Sequence, residues 1–141
     1  MKFEKAWDIK KKVDLLIEEL HFSHIKRKNV HCIRSFDAKT RAYARIWGMA
    51  KLFKEVVGLE PHYIIEVNEK KFRTLTPREQ MKTLIHELLH IPKTFSGALL
   101  SHRGPHHRIN DREVEKILRN IISSWENHEE NKKQYPWNNP I

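Results

Sequence analysis

Residues 76–92 read TPREQMKTLIHELLHIP, and this stretch decides which fold the chain is expected to adopt. Thr76, Pro77 and Glu79 form the pattern of a capping box with proline in the first helical position, which predicts the start of a helix. Apolar residues then recur at three- and four-residue steps and predict one buried face: Met81, Leu84, Ile85 and Leu88. Pro92 lacks an N–H and disfavours helical geometry before it, so the helix is expected to span residues 76–91.

The same helix carries an HExxH pattern, His86-Glu87-Leu88-Leu89-His90. Residues four apart lie on one face of a helix, so both imidazoles can reach one metal ion on the side away from the apolar stripe. Glu87 would lie beside that ion, where its carboxylate can take a proton from water. We expect Zn²⁺, which lowers the pKa of bound water to about 7. Iron, manganese and nickel are alternatives because histidine sites accept several ions.

The simpler interpretation is that His86 and His90 are two surface histidines that met by chance. The chain has ten histidines, so the pattern alone is a moderate signal. In that case the protein would be a small α+β interaction domain with no metal. The capped helix favours the metal site, because it packs one face and presents both imidazoles on the other.

A catalytic zinc site takes three protein ligands, so one more is expected after His90. The short metalloprotease spacing is not followed, because Lys93 and Ser96 stand where its glycine and third histidine would be. The candidates lie in a long loop, residues 93–107, and just beyond it: His102, His106, His107 and Glu113. His106 is favoured as the third ligand because it lies just before the last helix, and His102 is the alternative.

Composition limits the classes to which the protein can belong. A chain of 141 residues fits one domain, and no run of 18 apolar residues predicts a membrane span. The single cysteine, Cys32, excludes an internal disulfide framework and fits a reducing cytoplasm, where we expect the protein to be located. The formal charge is +9, and residues 1–75 hold 17 Lys/Arg against 10 Asp/Glu. This basic N-terminal half, with runs at residues 10–12 and 26–28, predicts possible contact with nucleic acid.

Periodicity along the chain predicts an α+β domain with an N-terminal helix, a small mixed sheet, the HExxH helix and a C-terminal helix. The helices are expected at residues 3–20, 49–57, 76–91 and 110–125, and the strands at 30–35, 41–47 and 62–68. The first two strands could form a hairpin. We expect one domain over residues 1–125 and a polar, flexible tail over 126–141.

Several of these segments together resemble a known family. They are Tyr43-Ala44-Arg45-Ile46, Tyr63-Ile64-Ile65-Glu66-Val67, residues 85–92 and His102-Arg103-Gly104-Pro105-His106. They are similar to the metallopeptidases of archaea and phages, a group related to SprT-like proteins within the zincin fold. The resemblance covers residues 1–124. It implies a zincin-like domain in which His86 and His90 bind zinc, Glu87 is the catalytic acid/base, and a loop histidine completes the site. Phage members favour His106 as that histidine, whereas SprT-like relatives favour His102.

The leading functional hypothesis is a zinc metallopeptidase that hydrolyses peptide bonds with a metal-activated water and Glu87 as general base and acid. Residues 64–68 could pair with an extended substrate as an added strand. The candidates for an oxyanion donor are Tyr43, Tyr63, Arg103 and Arg108. The alternative is a non-proteolytic zinc-binding module that contacts nucleic acid through the basic surface.

Overall fold

The computed structural model describes residues 2–102 and 109–126, and their architecture is α+β, as the sequence predicts. The strands are β1 (Lys2–Lys5), β2 (Val30–Phe36), β3 (Ala44–Trp47) and β4 (Tyr63–Asn68). The α-helices are α1 (Trp7–Glu19), α2 (Glu69–Phe72), α3 (Pro77–Leu88) and α4 (Asp111–Glu126). A 3₁₀ turn (Arg27–Asn29) and a π-helical turn (Phe53–Val57) lie in the connections. The expected tail lies outside the described residues from residue 127 onward.

The four strands form one mixed sheet in the order β1-β2-β4-β3. β2 and β4 are parallel, and β1 and β3 are antiparallel to their neighbours. The hairpin considered for residues 30–35 and 41–47 therefore does not form, because β4 lies between β2 and β3. β4 is buried at five of its six positions, and it takes a central place where both of its edges are paired.

The N-terminal helix predicted over residues 3–20 is wrong at its start. Residues 2–5 form β1 instead, which pairs with β2, and the Ala6 N–H donates to the Cys32 carbonyl at 3.0 Å. Phe3 and Trp7, which the periodicity placed in the core, are 61% and 66% exposed. Pairing with a strand distant in sequence overrides the local helical pattern here.

The core lies between the sheet and the helices. Tyr63, Ile65 and Val67 project from one face of β4 and are fully buried, as their alternation predicts. Buried side chains of the helices cover them, at 0–2% exposure: Ile9, Val13 and Leu16 of α1, Met81, Leu84, Ile85 and Leu88 of α3, and Val114 and Leu118 of α4. Because its apolar side packs on the sheet, α3 turns its opposite face away from the core.

α3 begins and ends close to the predicted bounds. The Thr76 hydroxyl accepts from the Glu79 N–H at 3.1 Å and the Glu79 carboxylate accepts from the Thr76 N–H at 3.0 Å, which completes the capping box. The last regular residue is Leu88, and the chain then tightens, with the His90 N–H donating to the Glu87 carbonyl. Among the described residues, no helix is long and apolar enough to cross a membrane.

Candidate metal centre

Two histidines of the HExxH pattern lie side by side at the C-terminal end of α3. His86 is in the last turn of the helix, and His90 follows in the tighter turn after it. Their ring centroids are 5.2 Å apart, and both side chains are partly buried. The buried apolar face of α3 fixes this orientation, so the pair faces away from the core as the sequence predicts.

A third histidine, His102, reaches the same point from the loop after α3. The His86 and His102 Nε2 atoms are 3.2 Å apart, and the His102 ring centroid lies 4.5 Å from that of His90. One ring nitrogen from each of the three histidines lies within 4.8 Å of the others. Zinc–nitrogen bonds of about 2.0–2.1 Å place tetrahedral ligands about 3.3 Å apart, so this donor set fits one divalent ion.

Leu100 orients His90 and ties the loop to the helix end. A carbonyl can only accept, so the contact of 2.6 Å between His90 Nδ1 and the Leu100 oxygen requires the proton on Nδ1. The Leu100 N–H donates in return to the His90 carbonyl at 2.7 Å. The lone pair of His90 is therefore on Nε2. This second contact is the usual way in which a metal-binding histidine is held in one tautomer.

The loop that carries His102 is held from the sheet by a buried tyrosine. The Tyr63 hydroxyl accepts from the Gly97 N–H and donates to the Ala98 carbonyl, both at 2.8 Å. Phe95 packs edge-on against the Tyr63 ring. The two hydrogen bonds fix residues 97 and 98, which lie two to three residues before Leu100 and four to five before His102.

A close backbone approach holds the other side of this loop. The Met49 N–H donates to the Gly97 carbonyl at 2.8 Å, and a Cβ built on Gly48 would lie 2.3 Å from that same oxygen. Gly97 has φ +96°, a conformation that favours glycine, and a Cβ there would lie 2.5 Å from the Met49 oxygen. Glycine at both positions therefore permits the approach.

Burial favours the neutral form of His86 and His90. Desolvation, followed by the neighbouring His90 and His102, lowers the pKa of His86 to about 4. Desolvation also lowers the pKa of His90, against the raising effect of its bond to Leu100. Neutral imidazoles are the form that binds metal, so these two side chains are ready to bind at pH 7 without losing a proton.

Glu87 is the buried carboxyl group of the site. Its side chain is 7% exposed and borders the pocket that His86 also lines. Burial raises its pKa to about 8. A cation bound nearby would lower the pKa of Glu87 again, because it favours the charged form of the carboxyl group. The group is therefore set apart from the charged surface carboxylates and suited to exchange a proton near neutral pH.

A pocket of about 450 Å³ opens beside His86 and Glu87. Its walls come from the start of β3, from α3 and from the start of α4: Tyr43, Ala44, Leu75, Glu79, Lys82, Thr83, Asp111 and Val114 complete the lining. Lys82 bridges the two helices through Asp111 at 3.0 Å. The pocket can admit a side chain of a bound molecule next to the histidines.

The comparison with known protein families bears on this site. The model of a family described as "Putative phage metallopeptidase" matches residues 1–109. The chain belongs to this family. The match spans all three clustered histidines and Glu87, and the family's name suggests a metal-dependent peptidase. No curated protein and no solved structure matches the chain.

For this member of the metallopeptidase family, the structure locates two of the four candidates for a third ligand. It brings His102 to the pair, whereas Glu113 lies in the first turn of α4, outside the histidine cluster, with its N–H bonded to the Asn110 side chain. His106 and His107 lie outside the described residues. In the sequence, His102 is favoured only by the resemblance to SprT-like proteins.

The structure also locates two of the proposed oxyanion donors. Tyr63 is fully buried and its hydroxyl bonds the loop, so its role is to position the loop, which the sequence did not indicate. Tyr43 is 45% exposed and lines the pocket beside Glu87. Arg103 and Arg108 lie outside the described residues.

Proposed function

We propose that the protein is a zinc-dependent peptidase in which His86, His90 and His102 bind the metal and Glu87 is the general base and acid. The convergence of three ring nitrogens within 4.8 Å beside a buried carboxyl group supports this proposal most directly. Zinc when bound supplies a Lewis acid that polarises the scissile carbonyl and makes water more acidic. The donor set and the neutral histidines fit such an ion.

Glu87 carries the proton transfers in this proposal. Its carboxylate accepts a proton from the attacking water and delivers it to the leaving amine, so that the group returns to its starting state. Burial raises the pKa of this carboxyl group, whereas a bound cation would lower it, and in this proposal the two opposing effects let Glu87 both accept and return the proton. His90 is held in position by Leu100, and Tyr63 holds the loop that brings His102.

The substrate strand expected at residues 64–68 is wrong, because β4 pairs on one side with β2 and on the other with β3. The edge that remains near α3 belongs to β3, whose outer side pairs with no strand among the described residues. We infer that an extended peptide adds to β3 and places a side chain in the pocket that Ala44 lines. The peptide backbone would then run past His86 and Glu87.

Glu87 also distinguishes this proposal from a non-proteolytic metal-binding module. A structural zinc site is closed by four ligands and needs no additional acid. Burial of a carboxyl group costs free energy that an apolar side chain would not, so a module of that kind would gain nothing from Glu87 at this position. A peptidase instead requires such a group beside the metal.

The test is digestion of an unfolded protein such as reduced casein by zinc-loaded protein, with the zinc content measured in each variant. The wild type is expected to cut, and Glu87→Gln is expected to retain zinc and lose about 10²–10⁴ in rate. Glu113→Gln removes a carboxylate outside the cluster and is the matched control, expected to keep both zinc and activity. Digestion by Glu87→Gln at the wild-type rate would refute the proposed role.

A further inference from the structure

The positive charge of the folded protein is not where the lysine runs of the sequence suggest. Lys12 is 7% exposed, and Lys10 bonds Asp14 at 2.7 Å. Lys26 and Arg27 of the second run lie 4.0 and 3.9 Å from carboxylates of Glu60 and Glu18. These two runs are therefore partly buried or partly neutralised.

Five other cations lie in two short basic segments, residues 39–41 and 70–73, which together we call the 39–73 patch: Lys39, Arg41, Lys70, Lys71 and Arg73. Two segments that are distant in sequence meet there, because the Lys71 ammonium donates to the Arg41 carbonyl at 2.9 Å. Neither residues 38–43 nor residues 70–74 contain an acidic side chain. The adjacent Glu69 is already bonded to Arg34 at 3.0 Å.

The cations of the 39–73 patch are uncompensated. None of them has a carboxylate within 4.0 Å in the part of the chain that the structure describes, and four of the five are exposed. Lys71 is partly buried. Like charges held together without counter-charges repel each other and attract a polyanion, which is bound with release of its counterions.

An aromatic ring lies at the border of the patch. Tyr43 is 45% exposed, and the Lys71 ammonium lies 6.0 Å from its ring centroid. The Asn68 N–H donates to the Tyr43 carbonyl at 2.9 Å, so the backbone at the ring is fixed to the sheet. An exposed ring among lysine and arginine is the combination that binds single strands, since bases stack on the ring and cations contact phosphates.

We propose that the 39–73 patch and Tyr43 form a binding surface for single-stranded nucleic acid. Five cations account for at most five phosphate contacts, which corresponds to a slope of log K against log salt of about −3.5 for a single strand. An acidic protein could contact the cations, but it has no bases that could stack on the Tyr43 ring. Single-stranded nucleic acid can contact both the cations and the ring. This binding does not require the metal.

The experiment measures binding of a fluorescent oligothymidine of about 20 nucleotides by anisotropy at several salt concentrations. The test variant combines Lys39→Glu, Lys70→Glu and Arg73→Glu, which are exposed cations outside the histidine cluster. The matched control combines Lys11→Glu, Lys116→Glu and Arg119→Glu, also exposed and with the same change in net charge. Zinc content and circular dichroism confirm that both variants are folded.

The test variant is expected to lose at least 30-fold in affinity and to flatten the salt slope by about 2–3, while the control stays within about threefold of wild type. Tyr43→Leu is expected to weaken oligothymidine binding and to leave binding of a duplex of equal length unchanged. Equal losses in test and control variants would overturn the proposal, because net charge alone would then explain binding. Equal affinity for polyglutamate and oligothymidine would overturn it as well.

Discussion

At the scale of single residues, Glu87 and His86 make the stability of the metal-free protein depend on pH in opposite ways. Burial raises the pKa of Glu87 from 4.5 to about 8 and lowers that of His86 from 6.5 to about 4. Between pH 4.5 and about 8, Glu87 is protonated in the folded state and ionised in the unfolded chain. Between about pH 4 and 6.5, His86 is neutral in the folded state and protonated in the unfolded chain. The contribution of Glu87 to the free energy of unfolding is therefore lost as the pH rises towards 8. The contribution of His86 is lost as the pH falls towards 4.

Glu87→Gln is therefore expected to flatten the pH dependence of the metal-free protein above pH 6.5, where His86 no longer contributes. The wild type should lose stability between pH 6.5 and 8, by about 1–2 kcal/mol, because folding then keeps an acid protonated that water would ionise. Urea unfolding in a chelator at pH 6.5, 7.2 and 8 measures this. Parallel profiles for wild type and variant would show that Glu87 is not the group responsible.

At the scale of elements, the loop after α3 connects the sheet to the histidine cluster. Tyr63 of β4 holds residues 97 and 98, Met49 holds Gly97, and Leu100 holds His90. The position of His102 thus depends on contacts that surround the site without touching the place of the ion. Such supporting contacts commonly change metal affinity by 10- to 100-fold.

Tyr63→Phe is expected to lower zinc affinity by about 10- to 100-fold and leave the fold intact, because it removes both hydrogen bonds to the loop and retains the ring that packs on Phe95. Competition with a chromogenic chelator measures the affinity. Tyr43→Phe removes a hydroxyl from an exposed tyrosine and is the control, expected to bind zinc as wild type does. Unchanged affinity in Tyr63→Phe would show that the loop does not depend on this hydroxyl.

The elements that the sequence predicts well are those specified locally. The start of α3 follows from Thr76, Pro77 and Glu79, and the buried face of β4 from simple alternation. His86 and His90 share a helix end, so their approach needs only the local helical repeat.

The remaining features depend on pairing between distant segments. β1 forms because residues 2–5 pair with β2, and the order of the strands depends on β4 lying between β2 and β3. The approach of His102 depends on Met49 and Tyr63, which lie more than 35 residues before it in the chain. No periodic pattern in the loop encodes these contacts, so spacing alone could not choose among the loop histidines.

At the scale of the whole molecule, α3 and α4 are joined by ion pairs as well as by the core. Lys82 contacts Asp111 and Glu115, and Arg78 also contacts Glu115. Trp125, near the end of α4, is 6% exposed and belongs to the core. The core therefore includes residues up to Trp125, and the end of the domain near residue 125 stays a prediction of the sequence.

A chain of residues 1–126 is expected to fold and to bind zinc as the full-length protein does, because it retains all of α4 and the histidine cluster. Thermal unfolding and zinc content of the two proteins test this. A chain of residues 1–117 is the contrasting case, since it removes Leu118, Ile121 and Trp125 from the core and is expected not to fold. Loss of zinc in the 1–126 chain would place the domain boundary later.

The central claim is that His86, His90 and His102 bind one metal ion, and zinc content by elemental analysis tests it most directly. The wild type and His106→Ala are expected to contain about one zinc per chain, while His86→Ala and His102→Ala lose it. Zinc that is kept in His102→Ala and lost in His106→Ala would contradict the choice of third ligand. A wild type that binds no metal after zinc loading and dialysis would contradict the metal centre itself.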